Sequence, residues 1–280
     1  MNHQFSVEEA VKNRVSVRNY KEQAIEAEKL NQLSSFMSDL KNPSGQRVNF
    51  HMFHMHEGSS DQKLGTYGVI RGAKHYLGAS IVLEDLALEA CGYEMERVIL
   101  FLASMHIGTC WLGGTFNRKA FATSLHISEK EILPVVTPIG YAHDQRHLQE
   151  VVMRKMIKAH QRLPWESLFF KDNFQTPLLK ENIGDYAFVL EMVRLAPSAS
   201  NKQPWRIVFH HQSFHFFQYQ TPGYSSAFPY DIQRIDMGIA AAHFDLAAKE
   251  RGLQGCFVFD QNPNISLPKD TYYVFSWLIG

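Results

Sequence analysis

Apolar and polar residues follow two different periods along the chain, and each period predicts one kind of element. Apolar residues recur at helical spacing between Glu26 and Leu40, whereas they alternate with polar residues from Val48 to Phe53, as in a strand. The run 98–103 is apolar on all sides within a longer helical pattern, which predicts a buried helix. Helices are predicted from Ser6 to about Arg14 and at 26–40, 67–74, 87–105, 118–125, 186–195 and 232–251. Strands are predicted at 48–53, 79–83, 109–112, 135–141, 205–210, 214–219, 255–260 and 272–279.

The order of the predicted elements in the second half of the chain repeats that of the first half. In each half, a glycine inside the long helix is followed 18 positions later by a cysteine in the next strand. These residues are Gly92 and Cys110 in the first half, and Gly238 and Cys256 in the second. Matching spacing of this kind indicates an internal repeat.

Pro-Ser pairs at the same place in each half mark a second correspondence. Pro43-Ser44 and Pro197-Ser198 each end a helix and precede a strand. From the proline to the helix glycine there are 49 positions in the first half (43 to 92) and 41 in the second (197 to 238). A loop that differs by about eight residues accounts for this, and surface loops tolerate such changes. The alternative is two similar α+β domains with chance Gly and Pro matches.

Composition excludes several classes of protein. The 280 residues include 28 Lys or Arg and 28 Asp or Glu, so the net charge is zero, which argues against a protein that coats nucleic acid or a polybasic membrane anchor. Cys91, Cys110 and Cys256 form no CxxC motif and are expected to be reduced thiols. The first residues contain no apolar signal segment, and the run 98–103 is too short to cross a membrane. We therefore expect a cytoplasmic protein without a nucleic-acid or membrane partner.

The segment Arg14-Val-Ser-Val-Arg18 is a candidate phosphate site. If the segment is extended, Arg14, Ser16 and Arg18 project to one side. Arginine suits phosphate because its planar side chain offers paired donors and keeps its charge. The alternative is a basic helix end that complements the helix dipole.

A second candidate segment runs from Arg194 to Arg206 and reads Arg-Leu-Ala-Pro-Ser-Ala-Ser-Asn-Lys-Gln-Pro-Trp-Arg. A proline and small residues at the end of a helix allow a flat ligand to approach, and Asn201 and Gln203 add amide groups. An ordinary helix-to-strand connection would explain the proline and serines but not the whole string.

Together these segments resemble the FMN-dependent nitroreductase family. That family carries Arg-x-Ser-x-Arg after its first helix, and Pro-Ser-x-x-Asn-x-Gln-Pro-Trp after its second. Its long central helix ends in Gly-Leu-Gly-Thr-Cys, followed by a glycine-containing loop. Residues 106–110 of this chain match the end of that helix, and residues 111–114 match the loop. Two later motifs of the family, a strand that ends in Gly-Tyr and an Arg-x-Pro-Leu-Glu-Glu-Leu-like stretch, are matched by residues 139–141 and 162–168. The resemblance is closest to the branch in which two units are fused in one polypeptide.

The resemblance implies an α+β nitroreductase-like fold that forms an intramolecular pseudo-dimer. Its expected parts are unit 1 at 1–170, with the phosphate clamp, and unit 2 at 171–280, with the Pro-Ser-x-x-Asn segment. In the family, FMN lies between two units and takes different motifs from each. Unit 1 here has a degraded Pro-Ser segment at 43–47, and unit 2 lacks Arg-x-Ser-x-Arg. The resemblance therefore implies one complete site and one FMN per chain.

Residue by residue, the resemblance assigns twelve positions to FMN. Arg14, Arg18 and Arg162 would neutralise the phosphate, while Ser16 would bond the ribityl chain or the phosphate. A backbone N–H near Gly113 would face the flavin N5 atom. Asn201 would bond phosphate or ribityl oxygens, or orient its loop. The full set is Arg14, Ser16, Arg18, Leu112, Gly113, Gly114, Arg162, Pro197, Ser198, Ala199, Asn201 and Gln203.

The resemblance implies a ping-pong reaction in which NAD(P)H reduces FMN and a small-molecule electron acceptor then reoxidises it. The acceptors would be nitroaromatics, quinones or flavins, and the pseudo-dimer could act as a monomer. No side chain needs to be an acid or a nucleophile, because the flavin carries the chemistry. Two alternatives remain open: an FMN storage or sensor module without turnover, and another flavin-dependent enzyme such as a dehalogenase or a flavin-fragmenting enzyme.

Two further groups of residues bear on the site, a pair of cations and the histidines. Arg71 and Lys74 are candidates for a cation beside flavin N1 and O2, and a surface location is the alternative for both. The 14 histidines include His51, His54 and His56, but no carboxylate pattern accompanies them. We therefore expect no metal site.

Overall fold

The computed structural model describes residues 5–54, 65–145, 148–259 and 263–280, without the side chains of 148, 149 and 153. Seven helices occur in these ranges: α1 (Val7–Asn13), α2 (Ala27–Ser38), α3 (Ala87–Ser104), α4 (Arg118–Ser124), α5 (Leu148–Met156), α6 (Tyr186–Leu195) and α7 (Gln233–Glu250). Within the described ranges, none of them is long and apolar enough to span a bilayer.

The strands form two sheets with the same internal order. The first sheet contains β1 (Asn49–His54), β2 (His75–Ile81), β3 (Gly108–Thr109) and β4 (Ile132–Gly140), in the order β1-β2-β4-β3. The second contains β5 (Phe169–Lys171), β6 (Trp205–His210), β7 (Ser213–Tyr219), β8 (Gly255–Val258) and β9 (Thr271–Ile279), in the order β5-β6-β7-β9-β8. If β6 to β9 are matched with β1 to β4 in chain order, the two arrangements coincide. The topology therefore confirms the internal repeat.

β5 forms one edge of the second sheet, beside β6. It pairs in parallel with β6, and the pairs include Phe169 with Ile207 and Lys171 with Phe209. The expected boundary between the two units, at residue 170, thus falls inside a strand of the second sheet. The two expected units are therefore continuous through this strand.

Two helix glycines let α3 and α7 cross in close contact. A Cβ at Gly238 would overlap the carbonyl oxygen of Glu89, and a Cβ at Gly92 would overlap that of Ile235. The two glycines that revealed the repeat therefore face each other's helix. Residues of both units contribute to one large hydrophobic core around this crossing, and a second, smaller cluster lies within the first unit.

Most predicted elements are present with shifts of a few residues at their ends. Ser6 caps α1, since its side chain accepts a hydrogen bond from the backbone N–H of Glu9. α6 has the predicted bounds, and α7 differs by one residue at each end. The last residue of the predicted strand 255–260 lies outside the described part of the chain.

The predicted helix at 67–74 is wrong. Tyr67, Gly68 and Gly72 have φ angles of 49°, 74° and 74°, which a right-handed helix cannot contain. The segment pairs with the chain after Arg18 instead, because the Arg71 N–H donates to the Arg18 carbonyl and the Arg71 carbonyl accepts from Tyr20. Backbone pairing in the folded protein overrides local preference here. The sequence analysis also missed α5 and the three-residue strand β5.

Candidate functional site

A backbone pairing places the Arg14–Arg18 segment beside the first unit's glycine loop. The Val17 N–H donates to the Thr109 carbonyl at 2.8 Å, and Ser16 forms a parallel bridge with Thr109. The loop 110–114 follows directly. Two segments nearly 100 positions apart in the chain thus line one site, and the pairing explains why Arg14–Arg18 is extended rather than helical.

A cavity of about 230 Å³ lies between the two units, and we call it the inner cavity. Both units supply its walls, which are mainly apolar side chains and small residues. Eight of the twelve predicted site residues line it: Ser16, Arg18, Leu112, Gly113, Gly114, Pro197, Ser198 and Ala199. Further residues that line it include Trp111, Ile157, Tyr224, Phe228, Ile232, Ile235, Asp236 and Ile239.

Gly113 and Gly114 allow the first unit to approach the second at the cavity wall. A Cβ at Gly113 would lie 2.7 Å from Ile232 Cδ1, and a Cβ at Gly114 would lie 3.2 Å from Phe228 Cζ. Larger residues here would push back the start of α7 and the loop before it. The glycines therefore serve contact between the units as well as access to the cavity.

Arg18 lies in the wall of the inner cavity. Its side chain is 7% exposed, and within the described ranges its Nε and Nη1 atoms have no hydrogen-bond partner. An unpartnered buried guanidinium is costly, and a ligand acceptor in the cavity would satisfy it. Arg18 thus lines the inner cavity, whereas Arg14 and Arg162 line a second cavity beside it.

Asp236 is a second unsatisfied group in the same cavity, and it comes from the second unit. Its Oδ1 accepts the Ala199 N–H at 2.9 Å, while its Oδ2 has no partner among the described residues. Burial raises the pKa of Asp236 well above its ordinary value, which favours the neutral carboxyl. From the sequence, Asp236 was predicted only as part of a packing helix. Its place in the first turn of the second long helix was the available signal.

A second cavity of about 260 Å³, the basic cavity, begins at Ser16 and lies beside the inner cavity. Two of the predicted site residues, Arg14 and Arg162, line it together with Lys12, Arg154 and His160. None of its described lining residues is acidic. The site therefore has one largely apolar part and one strongly positive part, joined at a serine.

Arg154 is a basic residue that the sequence analysis missed because α5 was not predicted. Its Nη1 donates to the Ser16 carbonyl at 3.3 Å, and it lies 4.0 Å from Glu150 in the preceding helix turn. Ile157, just after α5, lines the inner cavity. The α5 segment thus closes both cavities on the same side.

Arg162 contributes charge to the basic cavity, but its donors are largely used within the protein. It donates to the carbonyls of Leu195, Ala159 and Gln161 and to Asn201 Oδ1, at 3.1 to 3.3 Å. Burial and the positive charges of Arg14 and Arg194 lower the pKa of Arg162 to about 10. A group under such positive potential favours an anion nearby.

Asn201 and Gln203 line neither cavity among the described residues, and their amides hold the loop that does. Asn201 Nδ2 donates to the carbonyls of Lys158 and Gln161, each at 2.9 Å. Gln203 is buried, and its Oε1 accepts the Leu163 N–H at 2.8 Å. Of the roles considered for Asn201, the geometry supports orientation of the loop.

The loop is held in a strained conformation. Ser200, Asn201 and Gln203 have φ angles of 47°, 57° and 50°, in the left-handed region that non-glycine residues rarely adopt. The Gln203 N–H donates to Ser198 Oγ at 2.8 Å, and Tyr224 Oη donates to Ser200 Oγ at 2.9 Å. Strain of this kind persists where surrounding bonds enforce it, and it is concentrated at functional sites.

Asp231 anchors the loop that carries Tyr224 and Phe228 over the cavity. Its carboxylate accepts hydrogen bonds from four groups of the loop, of β7 and of α7. The donors are Gln218 Nε2, Gln220 Nε2, Ser225 Oγ and the Gln233 N–H. The two aromatic side chains are therefore positioned by a half-buried hydrogen-bond network around Asp231.

The equivalent position between the units on the opposite side is almost closed. There, Pro43 and Ser44 border a space of only about 20 Å³, compared with about 230 Å³ for the inner cavity. Phe257, Phe259 and Phe275 line this space. Counted from the helix glycines, Phe257 takes the place that Trp111 has in the first unit.

Other candidate groups lie away from the cavities. Neither Arg71 nor Lys74 lines the inner or the basic cavity. In the described ranges, no three His, Cys, Asp or Glu side chains are grouped so that they could hold a metal. His56 lies outside these ranges. Cys110 is buried beneath the glycine loop, and burial raises the pKa of its thiol.

Comparisons with known proteins agree with this architecture. The family model described as "Putative TM nitroreductase" matches residues 6–248. A crystal structure of "a putative nitroreductase" from Thermotoga maritima is 18% identical with a TM-score of 0.62, covering 100% of this chain and 96% of its own. No curated protein sequence matches the chain.

Single-unit nitroreductase structures match about half of the chain. A nitroreductase with bound FMN from Bacteroides fragilis is 21% identical with a TM-score of 0.41, covering 52% of this chain and 92% of its own. An FMN-dependent nitroreductase from Clostridium difficile is 18% identical with a TM-score of 0.42, covering 49% of this chain and 88% of its own. The match of the family model over most of the length, together with the repeated sheets, shows that the chain belongs to the nitroreductase family, in the branch with two units fused in one polypeptide.

Proposed function

We propose that the chain is an oxidoreductase that holds one FMN between its two units. NAD(P)H would supply the electrons, and a small molecule such as a nitroaromatic, a quinone or a flavin would accept them. The observation that carries the proposal is the pair of adjoining cavities, one walled by apolar groups and the other by basic side chains. Because both units already supply the walls, we propose that the chain acts as a monomer.

The chemistry of the two cavities fits FMN. The inner cavity has flat apolar walls and an unpartnered Arg18, which suits a planar ring with polar edge atoms. The basic cavity offers Arg14, Arg154 and Lys12 to a phosphate group. Together the two volumes fall within the range of about 300–1,000 Å³ that is typical of small-molecule sites. Ser16 lines both cavities, where the chain between ring and phosphate would run.

FMN, when bound, supplies the capacity to take up and pass on two electrons as hydride. The protein then needs to hold the ring, exclude water and stabilise the charge that reduction adds. Arg18 is placed for the last task, because its buried positive charge lies in the wall of the inner cavity. The loop of Tyr224 and Phe228 would limit which flat acceptor can enter.

The closed opposite side supports one FMN per chain. A space of about 20 Å³ cannot hold a flavin ring, and three phenylalanines border it. The arginine and serine motif that lines the open side is also absent from the second unit. The degenerate half would therefore serve as scaffold.

The proposal is tested by loading the purified protein with FMN and mixing it with NADPH or NADH in the absence of oxygen. We expect the flavin absorbance near 450 nm to bleach, and to return when a quinone or nitroaromatic is added. Colour that persists with both nicotinamides would support the storage or sensor alternative instead. Failure to bind FMN at all would overturn both.

A further inference from the structure

The indole of Trp111 is anchored by a buried glutamate. Trp111 lines the inner cavity, and its Nε1 donates to Glu96 Oε2 at 2.7 Å. Glu96 lies on α3, and its side chain is fully buried at 0% exposure. One face of the cavity wall is therefore tied, through a single hydrogen bond, to the interior of the protein.

A histidine of the second unit completes this network. His243 Nε2 lies 2.8 Å from Glu96 Oε1, and His243 Nδ1 lies 2.9 Å from the Met192 carbonyl oxygen. A carbonyl oxygen can only accept, so Nδ1 carries a proton. One further proton lies between Nε2 and Oε1, and the pair is neutral overall whichever atom holds it. Every polar atom of Trp111, Glu96 and His243 side chains thus has a partner.

The network has no counterpart on the closed side of the pseudo-dimer. The helix glycines relate the units by 146 positions (92 to 238), so Glu96 corresponds to Ala242 and Trp111 to Phe257. His243 corresponds to Arg97, whose side chain bonds the Lys41 carbonyl near the surface. The helix crossing is therefore made without such a network on the side that has no open cavity.

Buried acid–base pairs add little stability compared with apolar packing, and often reduce it. If Glu96 and His243 served only to pack α3 against α7, two apolar side chains at these positions would do so equally well. The network instead ends at the one cavity-lining side chain that carries an indole N–H. The network is present on the side that has the open cavity and absent on the side that does not.

We propose that Glu96 and His243 are positioning residues for the flavin site, acting through the orientation of the Trp111 ring. This inference rests on the proposed FMN function. Without the anchor, the indole could rotate about its side-chain bonds and change the shape of the inner cavity. Fixing the ring in advance removes this freedom before a ligand binds, which favours binding.

The test compares variants of the full chain by their FMN dissociation constant and by the visible circular dichroism of bound FMN. Glu96→Ala removes the anchor, and we expect about tenfold weaker FMN binding, a difference of about 1.4 kcal/mol, with an altered dichroism spectrum. Glu96→Gln keeps the network, because its amide oxygen can accept from Trp111 and its amide nitrogen can donate to neutral His243. We expect it to restore affinity and spectrum to near those of the wild type.

The matched control is Glu94→Ala. Glu94 is also a buried carboxylate on α3, but it accepts from Asn42 Nδ2 at 2.6 Å, beside the closed cavity. We expect Glu94→Ala to lower the melting temperature and leave the FMN constant and spectrum unchanged. A purely structural role for Glu96 predicts that both alanine variants behave alike.

A double-mutant comparison identifies the route of the effect. If Glu96 acts through the indole, Glu96→Ala should have no further effect on FMN binding in a Trp111→Phe background. The same tenfold loss in both backgrounds, or no loss in either, would overturn the positioning role. A wild-type protein that binds no FMN would instead refute the proposed function itself. If Glu96→Ala fails to fold, the Glu96→Gln and Trp111→Phe spectra still decide, since Trp111→Phe alone should reproduce the altered spectrum.

Discussion

Replacement of Gly238 by alanine is expected to lower the free energy of unfolding by at least about 3 kcal/mol. The added Cβ would overlap the Glu89 carbonyl oxygen and lie 2.8 Å from the Tyr93 backbone nitrogen. Neither backbone atom can turn aside as a side chain would, so α3 and α7 would have to separate. In a protein of this size we expect the melting temperature to fall by roughly 6–12 °C. Thermal and urea unfolding measure the loss.

Gly252→Ala is the matched control for this prediction. Gly252 follows the end of α7 with a φ of 69°, and a Cβ there would have no atom within 4 Å. The strain of a left-handed alanine alone should cost about 1 kcal/mol. If the Gly238 and Gly252 variants lost the same stability, the close helix crossing would not hold the two units together as described.

Arg14→Ala is expected to weaken FMN binding about 10- to 100-fold and to leave riboflavin binding nearly unchanged. Riboflavin has the same ring without the phosphate, so it should not depend on the basic cavity. Loss of charged hydrogen bonds worth about 1.5–3 kcal/mol gives this range. Fluorescence titration of the apoprotein with each flavin measures both constants.

Arg18→Ala should behave differently, because Arg18 lines the inner cavity and not the basic one. We expect it to weaken both flavins by similar factors. Arg47 is an exposed arginine that bonds Asn49 Oδ1, and Arg47→Ala should change neither constant. An Arg14 variant that lost FMN and riboflavin equally would show that the phosphate site has been misplaced.

The repeat was predictable because packing constrains sequence strongly where two backbones touch. Gly92 and Gly238 cannot carry a side chain, and their equal distances to Cys110 and Cys256 survive although much of the surrounding sequence has diverged. The alternative of chance matches fails on the matching strand orders of the two sheets. Because a side chain at either position would overlap the facing backbone, both positions hold glycine, and the repeat can be recognised from a single sequence.

Other features depend on partners that the sequence does not place. The segment 67–74 forms no helix, since it pairs with backbone near Arg18 that lies about 50 positions earlier. Arg154 lines the basic cavity because it lies on α5. That helix was not predicted, because its apolar residues Val152 and Met156 are exposed and interrupt the amphipathic pattern.

The sequence indicated which segments meet at the two cavities, but not what each side chain does there. Eight of the predicted residues line the inner cavity, because the family motifs include the glycines and small residues that form its walls. The same motifs could not separate a residue that faces a cavity from one that braces a loop. Asn201 and Gln203 use their amides on backbone groups of the first unit, and only the folded contact between units reveals it.

Glu96 and Asp236 were missed for a related reason. A carboxylate inside a buried helix has no local signal of function, since its partners come from other segments. Trp111 is 15 positions from Glu96, and Ala199 is 37 positions from Asp236. Their importance follows from burial and from which atoms are left unsatisfied, and both are properties of the fold.

The central claim is that the two units form one FMN site and not two. The most direct measurement is the ratio of FMN to protein in the purified, fully loaded chain, taken from flavin absorbance and amino-acid analysis. The account predicts a ratio near one, because the opposite pocket, at Pro43 and Ser44, has a volume of only about 20 Å³. A ratio near two would contradict it, and so would a chain that retains no FMN.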